Sequence, residues 1–394
     1  WIDSAAPLVG AITSSNSLVG AAAGDRIGSG GTSNFGTTGS LVFSPEWNGT
    51  RGAVSLFNNV SGSTGIVGAG NSLVGSTAGD RVGSGGSSSF GSKRAIESPD
   101  WNNGGNIASA GAITWVDLAV GFSGAVSSGN SLVGTQVNDR VGNGSLQNLN
   151  GTLWAATTTS WNGNRGAVTW INNAAPLTGA VSSANSLVGS TAGDLVGSNG
   201  FANDVSGFEV LLSTSWNSSR GAVTYISYAA PTTGVVSDTN SLVGANANDR
   251  VGNGGVNSFN NGDYYVRSTS FASNAGAISV GSATAGISGV VSGANSLVGQ
   301  VASDFYASSV TELGASNRLL VRASSADSGG FTNNGRVHLY SGGAGGGGGA
   351  GGPLGAQGYA DNPGSSVTIT PGQITAITNS GTNVVLQAST DITL

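Results

Sequence analysis

The chain is 394 residues long, carries charge on only 8% of them and has a formal net charge of −6, so no basic field is available to neutralise a phosphate backbone or to bind acidic lipid, and nucleic acid is not an expected partner. Cysteine is absent, which excludes disulfides and thiolate metal sites. Glycine numbers 69, with Ser, Thr, Asn, Val and Ala abundant, a composition for short strands and tight turns rather than surface helices.

The first fifteen residues, WIDSAAPLVGAITSS, align with Trp115 to Gly129 (WVDLAVGFSGAVSSG), so the chain is read as starting inside a repeat. Asn-Ser-Leu-Val-Gly then begins at Asn16, Asn71, Asn130, Asn185, Asn240 and Asn295, at spacings of 55, 59, 55, 55 and 55 residues. Nine residues after each Asn stands an Asp: Asp25, Asp80, Asp139, Asp194, Asp249 and Asp304. A unit this short buries its apolar face only by stacking on its neighbours, so the array is read as one continuous body.

Within a unit, Asn71 to Gly86 (NSLVGSTAGDRVGSGG) predicts a strand, a corner and a Gly-rich loop. The following run, KRAIESP in this unit and FEVLLS or YYVRS in later ones, predicts the most buried strand. An aromatic residue comes next at Trp47, Trp101, Trp161, Trp216 and Phe271, with Ala326 in its place in the sixth unit. A third strand opens with Gly, as in Gly166-Ala-Val-Thr-Trp170 and Gly335-Arg-Val-His-Leu339. Segments such as Ala174 to Ser183 are expected to supply a fourth, outer strand.

SLVG at the corner, SFGSKRAIESP and GAITW follow the order of the FG-GAP repeat, and the array over residues 1–342 resembles integrin-α-type β-propellers. The resemblance implies an all-β, six-bladed β-propeller of about 55-residue repeats. The family's Asp-x-Asp-x-Asp-Gly calcium loop is missing, so no metal is carried over. Two arrangements stay open: a closed ring, in which Pro7 to Thr13 serves the sixth blade and removes two sheet edges, or a piece of a longer array.

Residues 343–353, nearly all Gly, are read as a linker. Residues 354–394 contain three short alternating runs, a β-solenoid-like tail. ADNPGSSVTITPGQITAITNSGTNVVLQASTDITL is similar to segments of filamentous-haemagglutinin-type exoproteins exported by two-partner secretion. That resemblance implies a large secreted or cell-surface bacterial protein. The absence of Met, position 1 included, fits a processed product or a piece of a longer chain, and no apolar run reaches the roughly 18 residues of a membrane span.

The recurring Asp, followed by Arg at Arg26, Arg81, Arg140 and Arg250, is the foremost candidate for chemistry. A catalytic group is needed once, whereas a residue present in every unit is expected to fix a corner by accepting backbone N–H bonds, with a ring of weak ion sites as the alternative. The recurring aromatic is expected to pack between units rather than stack on sugars. Trp154, Trp170 and Tyr225 are read as core. His338, the single His, lies in a strand, and Glu46, Glu97, Glu209 and Glu312 form no local glycosidase pair. Asn48-Gly-Thr50 and Asn150-Gly-Thr152 match the glycosylation sequon.

These readings lead to an expected non-enzymatic structural and adhesive module, extracellular, without cofactor, whose partners are copies of itself or a cell-surface glycan or protein. A carbohydrate-active enzyme, a glycan-binding lectin and a calcium-stabilised receptor domain are the alternatives.

Overall fold

The computed structural model describes residues 10–341 apart from 38, 206, 314–317, 324, 328–332 and 334. The expected linker at 343–353, the tail at 354–394 and the start of the Pro7 to Thr13 strand lie outside the described residues; Gly10 to Thr13 are not in a strand.

The fold is an all-β, propeller-like repeat architecture, a succession of small sheets each shared between consecutive units. The sheet of the first unit is an antiparallel meander of an outer strand Thr32–Phe35, a second strand Gly39–Ser44 and a third strand Ala53–Asn58. The signature strand of the following unit, Ser72–Val74, adds antiparallel to the third strand, and the short strand Gly124–Ala125 adds parallel to that. The same order recurs in three further five-stranded sheets, down to the register: Ala53↔Val74, Ala112↔Val133, Ala167↔Val188 and Ala222↔Val243.

Two features differ from the sequence expectation. The Gly-rich loop read over Asn71 to Gly86 runs at its last residue into an outer strand not expected from the sequence, and that strand carries an anchor: Phe90 at the end of Gly86–Phe90 is fully buried, with ring centroids 4.5 Å from Trp115 and 5.0 Å from Trp154 of the next unit. The looser segment read as an outer fourth strand instead yields the two-residue parallel strand, Gly179–Ala180 for example, which extends the sheet of the preceding unit.

The core sits between units rather than within them. One cluster joins Leu41, Phe43 and Val54 of the first unit to Ile96, Trp101 and Val116 of the second, and another joins Leu211 and Trp216 to Ala155, Val168 and Leu187. Each fully buried Val, Leu or Ile contributes about 1.5–3 kcal/mol, so a unit separated from its neighbours forfeits much of its stabilisation.

Candidate functional site

The recurring residues converge on the junction between units. After the buried aromatic of the first, third, fourth and fifth units the backbone makes one left-handed turn. Asn48 (φ 48°, ψ 58°), Gly49 (φ 65°, ψ 46°) and Thr50 (φ 65°) all lie in the left-handed region. The same turn occurs at Asn162–Asn164, Asn217–Ser219 and Ala272–Asn274. Consecutive left-handed residues cost an L-amino-acid chain about 1–2 kcal/mol each, least for Asn and Gly, which occupy most positions in the first and third units. In the second unit a longer loop from Trp101 to Gly111 takes its place, in which Ser109 is the one non-glycine residue at positive φ.

The recurring Asp holds this turn in place. Asp194 Oδ2 accepts the amides of Ser190 (2.7 Å) and Thr191 (2.8 Å), while Oδ1 accepts the amide of Asn217 at the start of the turn (2.9 Å). Asp25 bonds Ala21, Ala22 and Asn48 in the same way, Asp80 bonds Ser76, Thr77 and Asn102, and Asp139 bonds Thr135, Gln136 and Asn162. Asp249 reaches Asn246 and Ala272. Asp304 reaches Gln300, Val301 and Asp327, so the arrangement survives in the sixth unit, where the aromatic is replaced by the buried Ala326. All six Asp are buried. Burial works to raise Asp25 and Asp194, but their hydrogen bonds outweigh it and hold both below the ordinary carboxylate value.

The next unit's corner docks on the same turn. Arg81 and Val82 donate their amides to Thr50 and Arg51 (2.9 and 3.0 Å), as Arg250 and Val251 do to Ser219 and Arg220. Two glycines make the approach close enough. A Cβ at Gly52 (φ 79°) would overlap the Val82 backbone, and one at Gly75, the last residue of the signature, would overlap the Arg51 carbonyl.

Asn and Ser of the signature complete the junction. Asn185 Oδ1 accepts the Ser182 amide and the Ser186 hydroxyl, and its Nδ2 donates to the Ala180 carbonyl. Ser186 Oγ also meets Thr169 Oγ1 of the preceding unit at 2.8 Å. Equivalent hydroxyl pairs are Ser55–Ser72, Thr114–Ser131, Thr224–Ser241 and Ser279–Ser296. The sequence reading missed these partners, although Ser or Thr at the third position of each Gly-Ala-aliphatic strand was the available signal.

Trp47, Trp101, Trp161, Trp216 and Phe271 are buried in the junction clusters, and among the described residues the four indole N–H groups have no acceptor. Trp154 is likewise core, whereas Trp170 and Tyr225 are half-buried and donate across units to the carbonyls of Thr232 (2.7 Å) and Ala283 (2.9 Å). The Arg after the Asp is itself left-handed, φ 43° at Arg81, and reaches sideways: Arg81 meets Glu46 at 3.1 Å and Asp100 at 3.7 Å, and Arg140 meets Asp100 at 3.3 Å. These part-exposed pairs are worth at most about 1 kcal/mol each.

The remaining acids are dispersed. Glu46, Glu97, Glu209 and Glu312 stand in four different units, and His338 lies on the third strand of the sixth. Burial pushes Glu97 up, partly offset by the Ser88 hydroxyl at 2.6 Å. Among the described residues no group of three or more His, Cys, Asp or Glu side chains is placed to hold a metal ion, and no helix is long and apolar enough to cross a membrane. A shallow groove of about 360 Å³ at the junction of the fourth and fifth units is lined by Trp216, Arg220, Asp238 and Val290 among others.

Among solved structures, prolyl oligopeptidase B from Galerina marginata is 8% identical over 77% of this chain and 38% of its own, with a TM-score of 0.28. The crystal structure of a eukaryotic initiation factor is 12% identical over 66% of this chain and 54% of its own, with a TM-score of 0.26. The chain thus spans about two fifths and about half of those two proteins, and neither likeness is close enough to carry an argument. No curated protein matches the chain. A family described as a repeat of unknown function (DUF5650) matches residues 1–29, 39–84, 95–143, 150–198, 207–253 and 258–308. Its unit runs from the second strand through the following Asp corner, and so brackets the junction rather than the interval from one Asn to the next. With six matches over most of its length, the chain belongs to this family of repeats of unknown function.

Proposed function

We propose that this chain is a non-enzymatic structural and adhesive module of a large secreted bacterial cell-surface protein, self-assembling into extracellular fibres or matrix. The observation that carries the reading is the use of the repeated polar groups. Each Asp carboxylate accepts backbone amides within its own unit, and each signature Ser hydroxyl beyond the first is paired across a junction, so the recurring polar groups are consumed in shaping the units and joining them. A surface of Ser, Thr, Asn and Gly with few charges offers little repulsion between molecules. The filamentous-haemagglutinin resemblance of residues 354–394 and the FG-GAP resemblance of the repeats supply the secreted and cell-surface setting.

The test is electron microscopy of the purified chain beside a cell- and glycan-adhesion assay. The reading expects ordered polymers or saturable adhesion; dispersed particles that adhere to nothing would refute it. The groove lined by Arg220, Asp238 and the largely buried Trp216 favours a second reading, a lectin, because it sets charged hydrogen-bonding side chains in a surface concavity. Selective binding to one glycan, lost in Asp238→Ala, would establish it.

A further inference from the structure

In an array whose recurring side chains hold the junctions, a pair of charges found at one junction alone is available for another task. Two places before the signature Asn stand Ser14, Ala69, Ser128, Ser183 and Gly293 in five units, but Asp238 ahead of Asn240. The residue before the Gly that opens the third strand is Arg51, Ala110, Arg165, Arg220, Ala275 or Asn334. An acid and an arginine at these positions therefore share only the junction of the fourth and fifth units, where both line the same groove. Neither is engaged by the fold. In the first unit Arg51 is fastened, its Nε donating to the Ser76 carbonyl (3.1 Å) and its Nη1 to the Asn48 carbonyl (2.9 Å). The half-buried Arg220 side chain makes no hydrogen bond among the described residues, and no ion pair joins it to the exposed Asp238. Val290, 40% exposed, adds an apolar wall where the first two junctions have Ala125 and Ala180.

Resting on the glycan-binding reading of this groove, we propose that its ligand is an acidic polysaccharide, with the carboxylate of one uronate ring on Arg220 and neighbouring ring hydroxyls donating to Asp238. A guanidinium presents a planar fork of donors that matches a carboxylate in two parallel bonds, each about twice as strong as a neutral one. An ionised Asp only accepts, so it selects a ligand that brings donors. The two free charges together call for an anionic group and hydroxyls side by side on one ligand, and a uronate carries both on every ring. Val290 offers a surface for the apolar C–H face of that ring. The groove, about 360 Å³, lies near the lower end of ligand sites, about 300–1,000 Å³. Being shallow, it suits one ring of a polymer that continues outside. The net charge of −6 gives the chain no long-range attraction for an anion, so recognition rests on this local pair.

The test is titration calorimetry of the full chain with oligomers of galacturonate, alginate and hyaluronan, each beside its carboxyl-reduced form, which keeps the ring and hydroxyls but lacks the charge. The proposal expects saturable binding of at least one acidic oligomer and binding of its reduced form weaker by at least about tenfold. Arg220→Gln should weaken the acidic oligomer by a similar factor, and Arg220→Lys should recover only part of the loss, because an ammonium lacks the fork. Both variants should keep the melting temperature of the unmodified chain, since the Arg220 side chain has no hydrogen bond among the described residues to lose. Arg165→Gln, at the equivalent place one junction earlier, should bind as the unmodified chain does. A reduced form bound as tightly as its acid, or acid binding untouched by Arg220→Gln, overturns the proposal and leaves the lectin reading standing. Failure of every acidic and neutral glycan to bind overturns both.

Discussion

Asp194 and Asn217 lie 23 positions apart, and the 2.9 Å bond from the Asn217 amide to Asp194 Oδ1 ties the corner of a unit to its left-handed turn. The same carboxylate takes the Ser190 and Thr191 amides and both their hydroxyls. Asp194→Ala removes the acceptor shared by these part-exposed donors and unfastens the corner from the turn, a change expected to cost about 1–3 kcal/mol. Asp194→Asn keeps one carbonyl oxygen and is expected to lose about half as much. Urea denaturation of both variants checks the order, and equal stability of Asp194→Ala and the unmodified chain would contradict it.

The depressed carboxyls set a pH dependence. Asp25 and Asp194 have folded values below the ordinary one, so the stability they contribute is present above about pH 4, the unfolded value, and is lost as pH falls through the folded value. Glu97, raised by burial, acts in the opposite sense: its contribution is complete below its unfolded value and fades as pH rises through the folded one. Melting temperature followed from pH 7 to pH 2 is expected to drop in the acid limb, and to drop less steeply in Asp194→Asn. Parallel curves for the two proteins would dissociate the carboxylate from acid sensitivity.

The aromatic position separates packing from hydrogen bonding. Trp216 Nε1 is buried with no acceptor among the described residues, and Phe271 fills the equivalent place one unit later. Trp216→Phe is therefore expected to cost under about 1.5 kcal/mol, whereas Trp216→Ala should cost about 3–5 kcal/mol through the cavity it opens. Calorimetry of the pair measures both.

Backbone strain gives a prediction in the stabilising direction. Ala272 stands at φ 48° in the left-handed turn, so Ala272→Gly should stabilise the fold by about 1 kcal/mol, measured as a rise in melting temperature. Gly244→Ala should do the reverse, because the new Cβ would overlap the Arg220 carbonyl.

The sequence showed the period, the all-β class and the places of the second and third strands, since Leu153–Thr158 and Ala167–Asn172 are apolar runs bounded by turn residues. It also exposed Asp194 and Trp216 as repeated positions. What stayed hidden is nonlocal or conformational. The bond from Asp194 to Asn217 depends on where a distant loop returns, and the pairing of Gly179–Ala180 with Leu132 and Val133 depends on the neighbouring unit. The left-handed turn is legible only in part: Asn162-Gly163-Asn164 suits it, but Ala272-Ser273-Asn274 adopts it without the usual residues because Asp249 and the next corner impose it. Asn48-Gly-Thr50, read as a sequon, is one of these turns.

Native-state hydrogen exchange at the amides of Ser190, Thr191 and Asn217 tests most directly whether the recurring Asp fastens each junction. In the unmodified chain these amides should exchange only with opening of the whole junction, and in Asp194→Ala all three should lose protection together by at least about 100-fold. Free exchange of these amides in the unmodified chain, or protection unchanged in the variant, would contradict the account.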